Sequence, residues 1–172
     1  MIKKILVSTD GSIGGGNAVR MAAELARDTG AELTVLHVLM HGEPPEALRH
    51  MAEVEHLARH QPKHETVGEA LSMVGLPANI DDPGFDHEVI HSIGKRIAEA
   101  AAAQAHDLGA ASVASEIVKG DIADAILDTA KHLDADLVVV GSRGLGRFSG
   151  LLMGSVSQKV SQLSECPCLI VK

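Results

Sequence analysis

Tryptophan and tyrosine are absent from this chain of 172 residues, and phenylalanine occurs twice. A binder of RNA or single-stranded DNA that works by stacking bases on aromatic rings is therefore disfavoured at the outset. An excess of positive charge is also missing: 15 Lys and Arg face 23 Asp and Glu, a formal net charge of −8. Nonspecific binding to nucleic acid needs a basic surface, so no nucleic-acid partner is expected. No apolar run approaches the ~18 residues needed to cross a bilayer, and residues 1–10 read as a strand, not as a leader. No membrane association is expected, and a cytoplasmic location is inferred. Only two cysteines occur, Cys166 and Cys168, on either side of Pro167. Two apart on an extended segment, they share a face, but a disulfide across so short a loop is strained. They are expected to be small, buried apolar residues.

What is present is aliphatic. The hydrophobic share is 45% and the charged share 22%, ordinary for a soluble globular chain of one domain. Lys3 to Ser8 has strand character and ends in the turn-rich Thr9-Asp10-Gly11-Ser12. Three glycines, residues 14–16, loosen the approach to a helix carried by Ala18, Met21, Ala22, Leu25 and Ala26 and closed by Gly30. Leu33 to Leu39 is a second strand, so the first forty residues form a βαβ unit with a right-handed crossover. His37, inside that strand, is expected to be a satisfied core histidine.

Residues 41–86 break the rhythm and are read as a helical insertion, too poor in large apolar residues for a core of its own. Helical spacing at Ala47, Met51, Val54 and Ala58 stops at Gln61-Pro62. A shorter helical stretch runs from Glu65 to Val74, and Asp81-Asp82-Pro83-Gly84 reads as a turn. His56, His60 and His64, and again His87 and His91, are spaced for one helical face, but Pro62 interrupts the first set. A solvated, pH-responsive insertion is the expectation there, not a metal site. Beyond it, Ile90, Ile93, Ile97, Ala101 and Leu108 mark a long helix before Gly109. Ser112 to Val118 is a strand, Asp121 caps the helix that follows, and Asp136 to Val140 is the fourth strand. Val156, Val160 and Leu163 mark a last helix, and Leu169-Ile170-Val171 a fifth strand. Strands alternating with helices predict an α/β fold: an open, doubly wound, five-stranded parallel sheet of order 3-2-1-4-5, helices on both faces.

In such sheets ligands sit outside the carboxyl ends of the strands where the order reverses, here at Asp10 and Gly141. The segment after the fourth strand reads Gly141-Ser142-Arg143-Gly144, then Gly154-Ser155-Val156-Ser157 at a helix start. Glycines let backbone amides crowd an anion, and a helix N-terminus adds its dipole. The pattern is not a P-loop, since no Gly-Lys-Ser/Thr ends it, and the first strand lacks the dinucleotide fingerprint. Arg143 suits a charged clasp over phosphate. Arg147 is read as solvated and Phe148 as packed beneath the loop. No nucleophile elbow, Cys–His pair or positioned carboxylate pair accompanies the loop, so catalytic residues are not assigned.

Gly141-x2-Gly144-x9-Gly154-Ser155, with Val7-Ser8-Thr9-Asp10-Gly11-Ser12 near the start and Cys166-Pro167-Cys168-Leu169-Ile170-Val171 near the end, resembles the ATP-binding branch of the universal stress protein family. The likeness spans residues 1–40 and about 88–172. It implies that Gly141, Arg143, Gly144, Gly154, Ser155, Val156 and Ser157 line a triphosphate. It implies that Ser8, Thr9, Asp10 and Val38 hold the adenosine end. Asp10 then binds a nucleotide hydroxyl or amino group, or helps to place Mg²⁺. The expected activity is ATP binding that switches conformation or assembly, with a homodimer formed through the fifth strand at Leu169 and Val171. A slow ATPase or nucleotide-transferring enzyme on the same site is the alternative.

Overall fold

The computed structural model describes residues 1–39, 83–144 and 153–172, and the side chains of these except 83–90. The chain divides into two compact units, one of residues 1–42 and 94–172 and one of residues 43–93. The expectations for the insertion up to residue 82, including His56, His60 and His64, and for Arg147 and Phe148, lie outside the described residues.

The elements run β1 (Lys4–Ser8), α1 (Ile13–Thr29), β2 (Glu32–Leu39), α2 (Pro83–Asp107), β3 (Val113–Lys119), α3 (Ile122–Leu133), β4 (Leu137–Gly141), α4 (Ser155–Leu163) and β5 (Cys168–Val171). All strand pairs are parallel and the order is β3-β2-β1-β4-β5, as expected. The chain winds outward from β1 in one direction and from β4 in the other. Their carboxyl ends therefore open a crevice at the point of reversal.

Alternation along the strands splits the core in two. Ile5, Val7, Leu33, Val35, Leu137, Val139 and Val171 face α1 and α2, where Ala18, Ala22, Ala26, Ala101 and Ala105 meet them. Leu6, Leu36, Val38, Val138 and Val140 face α3 and α4 through Ala123, Ile126, Ala130 and Val160. The helices present mainly alanine to β-branched and leucine side chains. That pairing of small against large fills the layers without aromatic rings. Each fully buried aliphatic side chain here is worth roughly 1.5–3 kcal/mol of transfer free energy.

Helix limits follow from caps. Gly30 at φ 71° closes α1, and Asp121 accepts from the amides of Ala123 and Asp124 to open α3, as its sequence position suggested. Two expectations change. Pro83 and Gly84 do not form a turn but begin α2; proline at a first helical position loses no hydrogen bond and has the right φ. Glycines 14–16 do not precede a helix but lie within the first turn of α1. Leu163 lies on the exposed side of α4, at 58% exposure. The two cysteines are free thiols, half-buried and packed against the second core. Burial raises the pKa of Cys168 above its usual value.

Candidate functional site

The crevice is made by two backbone segments brought to near contact. Ser12, at the end of the β1 loop, caps α1 by accepting from the Gly15 amide at 3.1 Å. On the other side, the chain leaving β4 passes so close to α1 that only glycine fits. A Cβ at Gly141 would lie 2.8 Å from the carbonyl carbon and oxygen of Gly14, and one at Gly14 would lie 2.6 Å from the Arg143 carbonyl oxygen. One at Gly144 would overlap the Asp10 carboxylate. Asp10 is half-buried, and its Oδ1 accepts from the Ser12 amide at 3.0 Å. Arg143 and Gly144 are exposed on the rim.

The far wall is the N-terminus of α4. Gly154 donates its amide to the Ser142 carbonyl at 2.8 Å. Ser157, only 2% exposed, donates its hydroxyl to the same carbonyl at 3.0 Å. Ser142, itself buried, thus ties the two ends of the glycine segment together; its amide donates to Val171 on β5. Sequence reading assigned Ser142 no role, because the working group is a carbonyl that every residue possesses. The Ser157 hydroxyl is bonded to backbone, which leaves its amide as the group facing the helix end. Ser155 is exposed and Val156 half-buried.

Among the three helices whose N-caps are described, α4 differs. Ser12 caps α1 and Asp121 caps α3 through their side chains, whereas Gly154 caps α4 with no side-chain hydrogen bond. No acidic residue occupies the first turn of α4. The first amides of a helix have no partner within it, so this end retains donors and a positive dipole.

At the end of β1, Ser8 is half-buried and Thr9 buried. Thr9 Oγ1 accepts from the Gly11 amide at 3.2 Å. Val38 is 8% exposed and its side chain belongs to the second core, so it offers only an edge. His37 is buried with its Nδ1 2.9 Å from the Thr9 carbonyl, which matches a satisfied core histidine. Its pKa is lowered from 6.5, first by burial, against the opposing pull of the Thr9 carbonyl and Asp10. Among the described residues, no group of three or more His, Cys, Asp or Glu is placed to hold a metal.

A family model described as the universal stress protein family matches residues 1–172. The chain is 34% identical to universal stress protein YxiE of Bacillus subtilis, covering 100% of both chains. It resembles the crystal structure of a universal stress protein in complex with cAMP (TM-score 0.61, 23% identity, 99% of this chain and 96% of that one). It also resembles a universal stress protein from Archaeoglobus fulgidus in complex with dAMP (TM-score 0.60, 19% identity, 100% and 98%). At those identities the structural likeness speaks for the fold.

Proposed function

This chain belongs to the universal stress protein family, and we propose that it acts there as an ATP-binding regulatory switch. The observation that carries the reading is the uncapped N-terminus of α4, free of acidic residues, across a glycine-built crevice from Asp10. A capped helix end has its donors satisfied; this one suits phosphate oxygens. In this reading the amides of Ser155, Val156 and Ser157 and the backbone at Gly141, Gly144 and Gly154 line the triphosphate. Arg143 covers it from the rim. Ser8, Thr9, Asp10 and the edge of Val38 meet the adenosine end.

Mg²⁺ fits as a companion of the phosphates, with Asp10 offering it a carboxylate, since Mg²⁺ commonly keeps waters and phosphate oxygens as its other ligands. Its contribution is charge neutralisation. Residues of this chain bind and orient the nucleotide, and we assign none of them to proton transfer. Nucleotide occupancy acts as a switch through whatever state binds it better. We place the protein in the cytoplasm as a homodimer through β5, with no nucleic-acid or membrane partner. Among the described residues no helix is long and apolar enough to cross a membrane. Leu169 is half-buried in the protomer and Val171 already buried at 8% exposure, so Leu169 and the β5 edge carry that interface.

Titration calorimetry of the purified protein with ATP, with and without Mg²⁺, tests the reading, with AMP and cAMP alongside. Saturable ATP binding is expected; heats no larger than dilution for every nucleotide would sink it. The similar structures with cAMP and dAMP favour a second reading, a monophosphate site, which tighter binding of AMP or cAMP than of ATP would establish. Turnover of ATP above about one per second, an ordinary enzyme rate, would replace the switch with an ATPase.

A further inference from the structure

The pairing of β1 with β2 ends at Ser8 opposite Leu36, while β2 continues beside β3 to Leu39. Thr9 adds one last backbone bond, its amide to the Leu36 carbonyl at 3.0 Å. Its own carbonyl then meets a side chain, Nδ1 of His37 at 2.9 Å. A carbonyl only accepts, so Nδ1 carries the hydrogen, and the neutral ring is the Nδ1–H form. This bond stands where the next rung of the ladder would fall as β1 peels away from the sheet.

The Thr9 carbonyl belongs to the peptide that joins Thr9 to Asp10. Fixing that plane fixes the direction in which Asp10 departs toward Ser12 and Gly144. The ring has little room to swing away. A Cβ at Gly94 on α2 would come within 2.9 Å of its Cδ2 and 3.3 Å of its Nε2. A glycine on the helix admits the imidazole, and the imidazole holds the strand end.

We propose that His37 is a positioning residue for the nucleotide site: from β2, through the Thr9 carbonyl, it sets the Asp10 carboxylate for the adenosine end. The role rests on the nucleotide reading above. It extends that reading to a residue whose side chain reaches the ligand only through another. Phenylalanine at position 37 keeps a ring but cannot donate. Asparagine places its amide nitrogen close to where Nδ1 stands and restores the donor.

The test is ATP affinity by calorimetry for wild type, His37→Phe, His37→Asn, and His37→Phe in an Asp10→Ala background, with thermal unfolding run on each. His37→Phe should weaken binding by about tenfold, the scale of one lost hydrogen bond, and His37→Asn by about twofold or less. In the Asp10→Ala background His37→Phe should change affinity by no more than about twofold, because the effect runs through Asp10. An equal loss in both backgrounds, or no loss in the first, overturns the role while leaving the nucleotide reading intact. Absence of ATP binding by wild type overturns both. Should the phenylalanine variant not fold, His37→Gln carries the same comparison, since its amide lies near the Nε2 position and not at Nδ1.

Discussion

Three consecutive glycines, Gly14, Gly15 and Gly16, sit in the first turn of one helix, and alanine at each should have a different consequence. In a helix alanine is favoured over glycine by roughly 0.5–1 kcal/mol because the unfolded chain loses freedom. At Gly16 a Cβ would meet nothing within 4 Å among the described residues, so that gain is unopposed. At Gly14 it would lie 2.6 Å from the Arg143 carbonyl oxygen, a backbone atom of the loop after β4. At Gly15 it would lie 2.6 Å from Thr9 Oγ1 and 2.9 Å from Asp10 Oδ1. Thr9 Oγ1 is already engaged by the Gly11 amide, so turning it away forfeits a bond. Overpacking of this kind costs about 1–3 kcal/mol. The net for Gly14→Ala and Gly15→Ala then runs from about zero to about 2.5 kcal/mol destabilising, against a gain of about 0.5–1 for Gly16→Ala. For a chain of this size each kcal/mol moves the thermal midpoint by about 2–4 °C, so the two groups should separate by several degrees. Calorimetric or fluorescence-dye melting of the three single variants decides it. A Gly16→Ala protein no more stable than the other two would refute the reasoning, since only the surroundings distinguish the three sites.

Further expectations are checked with the same preparations. His37 is neutral in the folded protein because burial lowers its pKa below 6.5. The unfolded state therefore takes up its proton first, and stability is full above about pH 6.5 and declines as pH falls below it; melting from pH 8 to pH 5 should show a shallower decline for His37→Asn than for wild type, and equal slopes would contradict the assignment. Asp121→Ala should lower the melting temperature by removing the acceptor for two amides, while Asp121→Asn keeps most of the cap; identical melting of the two variants would show that the cap is not what stabilises α3. Leu169→Asp should run as a monomer on gel filtration with its circular dichroism retained, and an unchanged dimer would remove β5 as the interface.

The centre of the sheet was legible because β1, β2 and β4 are near-continuous apolar runs, the signature of parallel strands buried on both faces. The strand order is the one expected of a doubly wound sheet, and Asp121 was readable as a cap because its chemistry is local. His37 was readable as a core residue, since a polar side chain among Leu and Val must find a partner. Other features depend on neighbours distant in sequence. Nothing between residues 12 and 17 says that Gly14 faces a carbonyl from residue 143 while Gly16 faces none of the described residues. The helical character of Pro83 was masked by a real ambiguity, because Asp-Pro-Gly suits both a turn and a helix start. The bond from the Ser157 hydroxyl to the Ser142 carbonyl was not legible, because sequence shows a donor but not the acceptor that takes it. Ser142 itself left no signal, for its role is played by backbone alone.

The proposed phosphate site stands or falls with the N-terminus of α4, and one substitution separates its structural and binding roles. Gly154 has φ −76° and ψ 159°, a conformation any residue adopts. A Cβ there would rest 3.4 Å from the Ser142 carbonyl oxygen and 3.5 Å from Ser157 Oγ, ordinary contact. Gly154→Asp should therefore fold, and its carboxylate should accept from the first-turn amides and complement the dipole. The gain expected from cap and dipole is a few tenths to about 1 kcal/mol, or roughly 1–4 °C in melting temperature. The same carboxylate occupies the donors that phosphate would use and repels its charge. Affinity for ATP should then fall by about tenfold or more, as two negative groups compete for one helix end. Stability rising while affinity falls is an outcome that general damage to the fold does not produce. If Gly154→Asp melts higher yet binds ATP as tightly as before, the phosphates do not sit at α4, and the crevice must hold its ligand elsewhere.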